Sequence, residues 1–223
     1  MSRAASLVVP TAPTPPGYRV AKRSLDLATS LIGLILASPI LALVAIAVKL
    51  ESRGPVLFRQ QRLGLGGRPF TLYKFRSMFS SAEQDRHRDH VRELIRGDPD
   101  ARSAEEVWVP IAADPRVTRL GAFLRRSHLD ELPQLINIVR GEMSLVGPRP
   151  PIPYEVEIYE PWHLRRLSVV PGLTGLWQAT AWGRVSFDEG VVLDLAYIDR
   201  RSFGLDLRLI GRTLWQIVIG RQF

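Results

Sequence analysis

Residues 27–48 read LATSLIGLILASPILALVAIAV, a run of 22 residues without a charged side chain. As a straight helix such a run is about 33 Å long, close to the roughly 30 Å thickness of the hydrocarbon core of a bilayer. Length and composition therefore predict that this segment enters a membrane. The commonest structure with this pattern is a single helix that spans the bilayer.

Two features instead favour a broken helix that enters and leaves one leaflet. Pro39, directly after Ser38, removes the hydrogen bond to the carbonyl of Ile35 and predicts a kink, where the Ser38 hydroxyl can bond a nearby backbone group. Spanning helices usually carry their cations mainly on the cytoplasmic side. Here both flanks are basic, with Lys22 and Arg23 before the run and Lys49, Arg53, Arg59 and Arg62 after it. A kinked spanning helix and a re-entrant hairpin both remain open, and a buried helix of a soluble core is a weaker third alternative.

The composition of the whole chain limits the number of domains, the kind of binding partner and the kinds of metal site that are possible. It has 223 residues, 46% of them hydrophobic, which is enough for one domain with a real core. A net charge of +8 predicts a polyanionic partner, either nucleic acid, an anionic bilayer or phosphate groups. The absence of cysteine excludes disulfides and thiolate metal sites.

Local patterns predict a mixed, mainly helical fold. Residues 55–60 and 70–76 are typical of two strands around the turn GLGG at 64–67, which lacks the pattern of a phosphate-binding loop. Residues 81–106 are dense in charge and predict a solvated helix and loop, although His87 and His90 have spacing that would suit a metal. Residues 205–223 are amphipathic and fit an interfacial membrane helix or a packed helix of a soluble core equally well.

Residues 127–134, SHLDELPQ, place Asp130 and Glu131 side by side. Arginines surround this pair in the sequence, namely Arg116, Arg119, Arg125, Arg126, Arg140 and Arg149. The apolar spacing predicts a short helix ending near Ser127 and a second one from near Leu129 to Gly141, with the acids at its N-terminus.

Two interpretations of this acid pair follow. In the first, Asp130 is an N-cap worth about 1 kcal/mol and Glu131 is a favourable acid of the first turn. In the second, a carboxylate attacks phosphorus, as in aspartyl phosphates, while arginines bind the phosphate and Mg²⁺ accompanies a diphosphate. The arginines and the apolar segment favour the second interpretation.

Several longer motifs resemble one family. They are KRSLDL, the Ser-Pro within the apolar run, FRQQRLG followed by FTLYKFRSM, the stretch from 114 to 150 that ends in GPRP, VVPGLTGLWQ, and LDLAYI followed by SFGLDLRLI. In this order, over about residues 20–220, they resemble the bacterial sugar transferases called monotopic phosphoglycosyl transferases. That family transfers a sugar 1-phosphate from a UDP-sugar to polyprenol phosphate, typically undecaprenyl phosphate, with Mg²⁺, and releases UMP.

The resemblance implies a role for each matching residue. Asp130 would be the nucleophile, with Mg²⁺ close by, and Glu131 its activating or orienting partner. The other matching positions would bind substrate (Lys74, Arg125, Arg126, Arg149, Pro150, and either Asp194 or Asp206) or meet the membrane (Lys22 and Arg23 as a basic anchor, Ser38 and Pro39 as the break of a re-entrant helix).

The implied architecture is a membrane-associated α/β fold with a re-entrant helix hairpin, a small β-hairpin and amphipathic interfacial helices. Its parts would be a disordered proline-rich leader at 1–18, a membrane-inserted helix at 19–50 and a catalytic domain at 51–223. Without the multispan region of larger members, the chain looks like the catalytic core alone. We expect it at the cytoplasmic face of a bacterial inner membrane, at the start of exopolysaccharide, O-antigen or capsule assembly.

Two rival functions remain at this point. A membrane-anchored, Mg²⁺-dependent hydrolase of lipid diphosphates would use the same acids to activate water. A basic module that binds nucleic acid is the other rival, but the chain carries no recognised nucleic-acid motif. We therefore expect a UDP-sugar, polyprenol phosphate and membrane lipids as partners, and no nucleic acid. The identity of the sugar and the oligomeric state, a homo-oligomer included, stay open.

Overall fold

The computed structural model describes residues 8–79, 116–181 and 184–219. Its helices and strands, in chain order, are α1 (Pro16–Glu51), β1 (Leu57–Leu63), β2 (Pro69–Phe75), α2 (Arg119–Arg126), α3 (Gln134–Arg140), β3 (Ser144–Val146), α4 (Pro153–Val156), β4 (Gly172–Thr174), α5 (Leu176–Thr180), α6 (Phe187–Arg200) and α7 (Phe203–Val218). Short 3-10 turns occupy Leu65–Gly67, Leu129–Glu131 and His163–Ser168. The fold is mostly helical with two small sheets, while the charged stretch with His87 and His90 lies outside the described residues.

The apolar segment forms the middle of α1, a helix of 36 residues and about 54 Å. The helix continues through Pro39, so a hairpin with two separate helical arms is not seen. The Ser38 hydroxyl donates a hydrogen bond of 2.8 Å to the carbonyl of Ile35. This confirms the prediction that Ser38 satisfies a nearby backbone group, and that group is the same Ile35 carbonyl that Pro39 leaves without an amide donor.

A continuous apolar surface of α1 faces outward. Within the described residues, α1 is the one helix long and apolar enough to cross a membrane. Its exposed large apolar side chains include Leu31, Ile32, Ile35, Leu36, Ile40, Leu43 and Ile46. A patch of this kind is rare on a soluble monomer and typical of a membrane or protein contact, and the length and composition of α1 fit a membrane contact.

The first turns of α1 are fastened to the rest of the protein by polar groups. Arg23 donates to the carbonyls of Ile138 (2.6 Å) and Val139 (2.8 Å), at the end of α3. Lys22 Nζ donates to the carbonyl of Val146 at 2.9 Å. These two cations, interpreted from the sequence as an anchor at the membrane surface, serve here to attach α1 to the domain.

The last turns of α1 pack against the same domain. Val44 and Val48 are buried in a cluster with Phe75 of β2 and Leu124 of α2. Arg76, at the end of β2, donates to the carbonyl of Val48 at 3.3 Å. Both ends of α1 are therefore held by one body, and the middle of the helix is its exposed part.

The predicted β-hairpin is present. β1 and β2 pair antiparallel with Leu57 opposite Phe75 and Leu63 opposite Pro69. The turn between them needs glycine, because Gly66 and Gly67 have φ values of 69° and 82°. The first strand ends three residues later than predicted, and the hairpin carries Arg62 and Lys74 to the centre of the molecule.

A second sheet was not predicted from the sequence. β3 and β4 are two short parallel strands, with Ser144 opposite Gly172 and Val146 opposite Thr174. A Cβ atom on Gly172 would lie 2.0 Å from the amide nitrogen of Gly147, so the glycine is required for this close approach. The pairing brings the GPRP loop (147–150) next to the loop that follows Val170.

The C-terminal helix α7 has two different faces. Asp206 and Leu209 are buried against the domain, whereas Leu214, Trp215 and Val218 are exposed. The alternative of a packed helix is confirmed for one face of α7, and the interfacial alternative stays a prediction for the exposed apolar face.

Part of the predicted leader also has fixed contacts. The amide of Ala12 donates to the carbonyl of Ser168 at 2.8 Å, and that of Val9 to Gly66 at 3.3 Å. The helix begins at Pro16, inside the predicted leader, and residues 1–7 are outside the described part.

Candidate active site

The acid pair lies in the 3-10 turn Leu129–Glu131, between α2 and α3. His128, which precedes the turn, has a φ of 55°, a left-handed conformation that is uncommon for a residue with a side chain. The second helix begins at Gln134 and not near Leu129, as the sequence predicted, because a separate tight turn holds the two acids.

This geometry bears on the helix-cap interpretation of Asp130. The residue that caps α3 is Pro133, and no side chain provides a capping hydrogen bond there. Asp130 is nevertheless 7% exposed. A carboxylate buried without a capping role costs stability, which calls for another explanation of its position.

Glu131 is paired with a cation. Lys74 Nζ of β2 lies 2.5 Å from Glu131 Oε1. Burial alone would raise the pKa of Glu131, but the charge and the hydrogen bond of Lys74 outweigh it, and the pKa falls below its usual value. Glu131 is therefore an ionised carboxylate with a fixed partner.

Asp130 has a different environment from its neighbour. Burial is the main cause that raises the pKa of Asp130, to about 6, and the charge of Glu131 adds to it while Lys74 and Arg125 oppose it. Across the described parts of the chain, no side chain forms a hydrogen bond or ion pair with this carboxylate. Adjacent acids in such different states are a common arrangement in active sites, where one acid reacts and the other holds or polarises.

A pocket of about 290 Å³, its open mouth included, lies beside the pair. Its lining residues are Arg62, Leu72, Lys74, Glu131, Gln134, Arg149, Pro150, Gly172, Leu173 and Gln178. Four of the predicted site residues thus come together there: Lys74, Glu131, Arg149 and Pro150. Three cations and one acid make the pocket suited to an anionic group.

The two arginines that end α2 differ. Arg125 donates from Nε to Ser77 Oγ at 2.8 Å and lies near enough to Asp130 to lower its pKa. Arg126 is exposed on the outside of α2 and does not line the pocket.

Asp194 and Asp206 lie away from the pocket, each 1% exposed. Asp194 Oδ2 is 2.9 Å from Nε and 2.8 Å from Nη2 of Arg166. Asp206 is bound by Lys22 Nζ at 3.0 Å and by the hydroxyl of Tyr197 at 2.8 Å. Asp194 is connected to the site through Arg166, which donates to the carbonyl of Arg149. Asp206 joins α7 to Lys22 of α1.

Two residues near the site were not identified from the sequence. Asn137 is fully buried; its side chain donates to the carbonyl of Thr71 at 2.7 Å and accepts from the amide of Tyr73 at 3.2 Å. It thereby connects α3 to the strand that carries Lys74. In the sequence, the feature that could have identified Asn137 is its position as the single polar residue in the apolar run 135–139. The other residue is Arg62, which the sequence presented only as part of a basic flank.

Comparison with known proteins identifies one family and named relatives, among them a protein of exopolysaccharide production. The family model described as bacterial sugar transferase matches residues 17–220. The chain is 40% identical, over 204 residues, to the galactosyl transferase CpsE of Streptococcus agalactiae, covering 91% of this chain and 43% of that protein. It is 38% identical, over 202 residues, to the exopolysaccharide production protein ExoY of Rhizobium meliloti, covering 91% and 87%.

A third relative has a name that states a reaction. The UDP-glucose:undecaprenyl-phosphate glucose-1-phosphate transferase of Escherichia coli is 37% identical over 219 residues, which are 94% of this chain and 43% of that protein. The chain thus spans less than half the length of two of these relatives and most of the length of the third.

Proposed function

The chain belongs to the bacterial sugar transferase family, and from this premise we propose that it transfers a sugar 1-phosphate from a UDP-sugar to polyprenol phosphate and releases UMP. The observation that carries the proposal is the buried Asp130 carboxylate beside the Lys74–Glu131 pair, at the edge of a cationic pocket. The reaction named for the Escherichia coli relative supports the donor, the acceptor and the transferred group.

In the first step, an oxygen of Asp130 attacks the β-phosphorus of the UDP-sugar. An Asp–O–P bond forms, the bond from this phosphorus to the bridging oxygen breaks, and UMP leaves with the bonding electron pair. Lys74 and Arg149 line the pocket where the diphosphate charge would lie, and fixed cations stabilise such charge in transfer.

In the second step, a phosphate oxygen of polyprenol phosphate attacks the same phosphorus. The Asp–O–P bond breaks, Asp130 becomes a carboxylate again, and the product is a polyprenyl diphosphate sugar. The two displacements balance without an external base, because the attacking groups are anions already.

Glu131 has a supporting role in this scheme. Lys74 fixes its carboxylate 2.5 Å away, so its negative charge stays next to Asp130. That charge raises the pKa of Asp130 and increases its basicity. Pro150 shapes the pocket wall and presents its carbonyl to Arg62 Nη1 at 2.8 Å.

The residues present fit Mg²⁺. This ion binds through one or two carboxylates together with substrate phosphates and water, and the Asp130 carboxylate forms no hydrogen bond or ion pair with any described side chain. When bound at Asp130, Mg²⁺ would neutralise charge on the diphosphate and on the attacking carboxylate.

We also propose that α1, although helical through Pro39, bends there in the membrane so that it enters and leaves the same leaflet, with the domain on the cytoplasmic face of a bacterial inner membrane. The support is that one body holds both ends of the helix, through Arg23 at one end and Val48 at the other. A helix whose ends lay on opposite sides of a bilayer would not keep both contacts. The site would then lie at the interface, where a soluble donor and a lipid acceptor meet.

The topology can be tested with single cysteines, because the chain has none of its own. Ser2→Cys and Arg59→Cys should both react with an impermeant maleimide from the cytoplasmic side. Labelling of Ser2→Cys only from the opposite side would show that α1 spans the membrane.

The reaction is tested by measuring UMP and lipid-linked sugar phosphate with and without polyprenol phosphate. We expect catalytic turnover only when the lipid is present, with equal amounts of the two products. Continuous release of sugar phosphate without lipid would instead identify a hydrolase. A positive result would place the chain at the start of exopolysaccharide, O-antigen or capsule assembly.

A further inference from the structure

Two buried arginines hold the segment that carries Arg149. Arg62 Nη1 donates to the carbonyl of Pro150 at 2.8 Å, and Arg166 Nη2 donates to the carbonyl of Arg149 at 3.3 Å. Both guanidinium groups are nearly inaccessible, with 5% and 3% exposure. They contact successive carbonyls, yet their surroundings differ.

The positive charge of the buried Arg166 guanidinium is compensated by its neighbours. Asp194 lies 2.8 Å from its Nη2, and Nη1 donates to the hydroxyl of Tyr159 at 2.9 Å. The guanidinium also lies over the ring of Trp177, 5.5 Å from its centroid. Burial alone would lower the pKa of Arg166, but Tyr159 and Asp194 together raise it. This is the environment of a structural cation.

Arg62 has no counterion of this kind. Its Nε and Nη2 both donate to the neutral Gln60 Oε1, at 3.0 and 2.6 Å. No carboxylate in the described part of the chain lies within ion-pairing distance of it. Burial and the nearby charge of Arg149 lower the pKa of Arg62 to about 10. A buried cation that lacks a counterion is costly, and an anion that binds beside it removes the cost.

The position of Arg62 indicates where that anion binds. Arg62, Lys74 and Arg149 line one pocket, and Lys74 is already paired with Glu131. The uncompensated positive charge therefore lies at the Arg62 side. An arginine has five N–H donors, and the bonds to Gln60 and Pro150 use three of them. Two donors remain for a ligand.

We propose that Arg62 binds a phosphate monoester group in this pocket, together with Arg149. The proposal rests on the function proposed above and extends it to a residue outside the acid pair. A product and a substrate of the proposed reaction supply this chemistry: UMP as it leaves, and polyprenol phosphate as it enters. Each is a phosphate that departs from or attacks the same phosphorus, so one site beside the acids can serve either.

The experiment uses the full chain in detergent with the variants Arg62→Met and Arg62→Lys. Arg59→Met is the matched control, since Arg59 is an exposed arginine of the same strand. Calorimetry measures the affinity for UMP and for inorganic phosphate. Loss of charge-assisted hydrogen bonds should weaken UMP binding roughly tenfold or more in Arg62→Met and less in Arg62→Lys. The control should bind as the wild type does.

Two further readouts separate the sources of the phosphate. The rate of adduct formation from a UDP-sugar reports the UMP phosphate. The rate at which polyprenol phosphate discharges a preformed adduct reports the lipid phosphate. A selective loss in either supports the proposal and identifies the source. Unchanged UMP affinity and unchanged rates in a folded Arg62 variant, or equal losses in Arg59→Met, would overturn it.

Arg62 also holds the carbonyl of Pro150, so a variant can fail to fold. A structure of the wild-type protein with UMP then decides: the proposal requires phosphate oxygens within hydrogen-bond distance of Arg62, and a phosphate bound elsewhere contradicts it. The two proposals can fail separately. If the protein binds phosphate through Arg62 but forms no adduct with any UDP-sugar, the phosphate site is supported and the transferase function is not.

Discussion

The buried acids of the described residues differ in the partners that hold them. Asp194 and Asp206 are each 1% exposed, and each is bound by a cation, Arg166 and Lys22 respectively. Asp130 is 7% exposed; among the described residues no side chain forms an ion pair with it, and it does not cap α3. Burial raises the pKa of both Asp130 and Asp194 to about 6, so the two acids differ in their partners and not in this shift.

Paired buried acids connect elements of the fold, whereas an unpaired one is kept at a cost to stability. The first kind is expected wherever two helices or loops must stay together, as Asp206 joins α7 to Lys22 of α1. Asp26 also forms no ion pair in the described residues, but Ser144 Oγ and the amide of Leu145 donate to it at 3.0 and 2.9 Å, and so it joins α1 to β3. Within the same part of the chain, Asp130 has neither an ion pair nor such a side-chain hydrogen bond, a pattern that is common at functional sites. The comparison supports the proposed role of Asp130 in the reaction, while Asp194 and Asp206 connect elements of the fold.

The largest expected effect is on activity. Asp130→Asn removes the proposed nucleophile and should lower turnover by roughly 10⁴-fold or more. Asp194→Asn, corrected for its folded fraction, should keep far more activity because it touches the pocket only through Arg166. Steady-state UMP release measures both. Comparable losses in the two folded variants would erase the distinction.

The next effect is on stability. Asp194→Asn leaves Arg166 buried without its counterion and should lower the free energy of unfolding by about 3–5 kcal/mol. The control is Asp199→Asn, which breaks an ion pair with Arg165 in which both side chains are 51% exposed, and should cost about 0–1 kcal/mol. Chemical denaturation in detergent compares them, and equal costs would contradict the structural role.

Asp130→Asn should raise the free energy of unfolding, whereas Asp194→Asn should lower it. The folded pKa of Asp130 is about 6 against an ordinary 3.8, so ionisation in the folded state is penalised and stability falls as pH rises between these values. Removing the charge should therefore stabilise the protein by up to about 3 kcal/mol at neutral pH and have little effect below about pH 4. Unfolding without Mg²⁺ at both pH values measures this, and destabilisation at neutral pH would refute it.

A smaller effect is expected in the pH profile. The nucleophile must be ionised, so kcat/KM should fall about tenfold per pH unit on the acid side, with the limb near pH 6 at limiting Mg²⁺ and at lower pH when Mg²⁺ is saturating, because the bound ion favours the carboxylate. Glu131→Gln removes a charge that raises the pKa of Asp130 and should move this limb to lower pH. If the acidic limb of the pH profile does not shift in Glu131→Gln, that limb reports the ionisation of a group other than Asp130.

Much of this could be predicted from local sequence. The apolar run, the Ser38 bond to Ile35 and the hairpin around Gly66 each depend on neighbouring residues, and all were found. The proximity of Lys74 to Glu131 was not evident from spacing, since the two are separated by 57 positions. The family resemblance placed both residues in the site but did not predict their ion pair.

Other features depend on contacts that no local pattern records. The pairing of β3 with β4 involves strands of three residues each, too short for a periodicity. The choice between Asp194 and Asp206 could not be made from sequence, because both lie on helices with similar flanks. Arg62 appeared as one cation in a basic flank, and only its burial beside Arg149 separates it from Arg59.

The most direct test of the central claim is the intact mass of the protein, in detergent with Mg²⁺ and a series of UDP-sugars but no lipid acceptor. Wild type is compared with Asp130→Asn. We predict that the wild type alone gains the mass of one sugar phosphate with one donor and releases an equal amount of UMP. The absence of an adduct from a wild-type protein that turns over with the same donor once lipid is added would contradict the covalent role of Asp130.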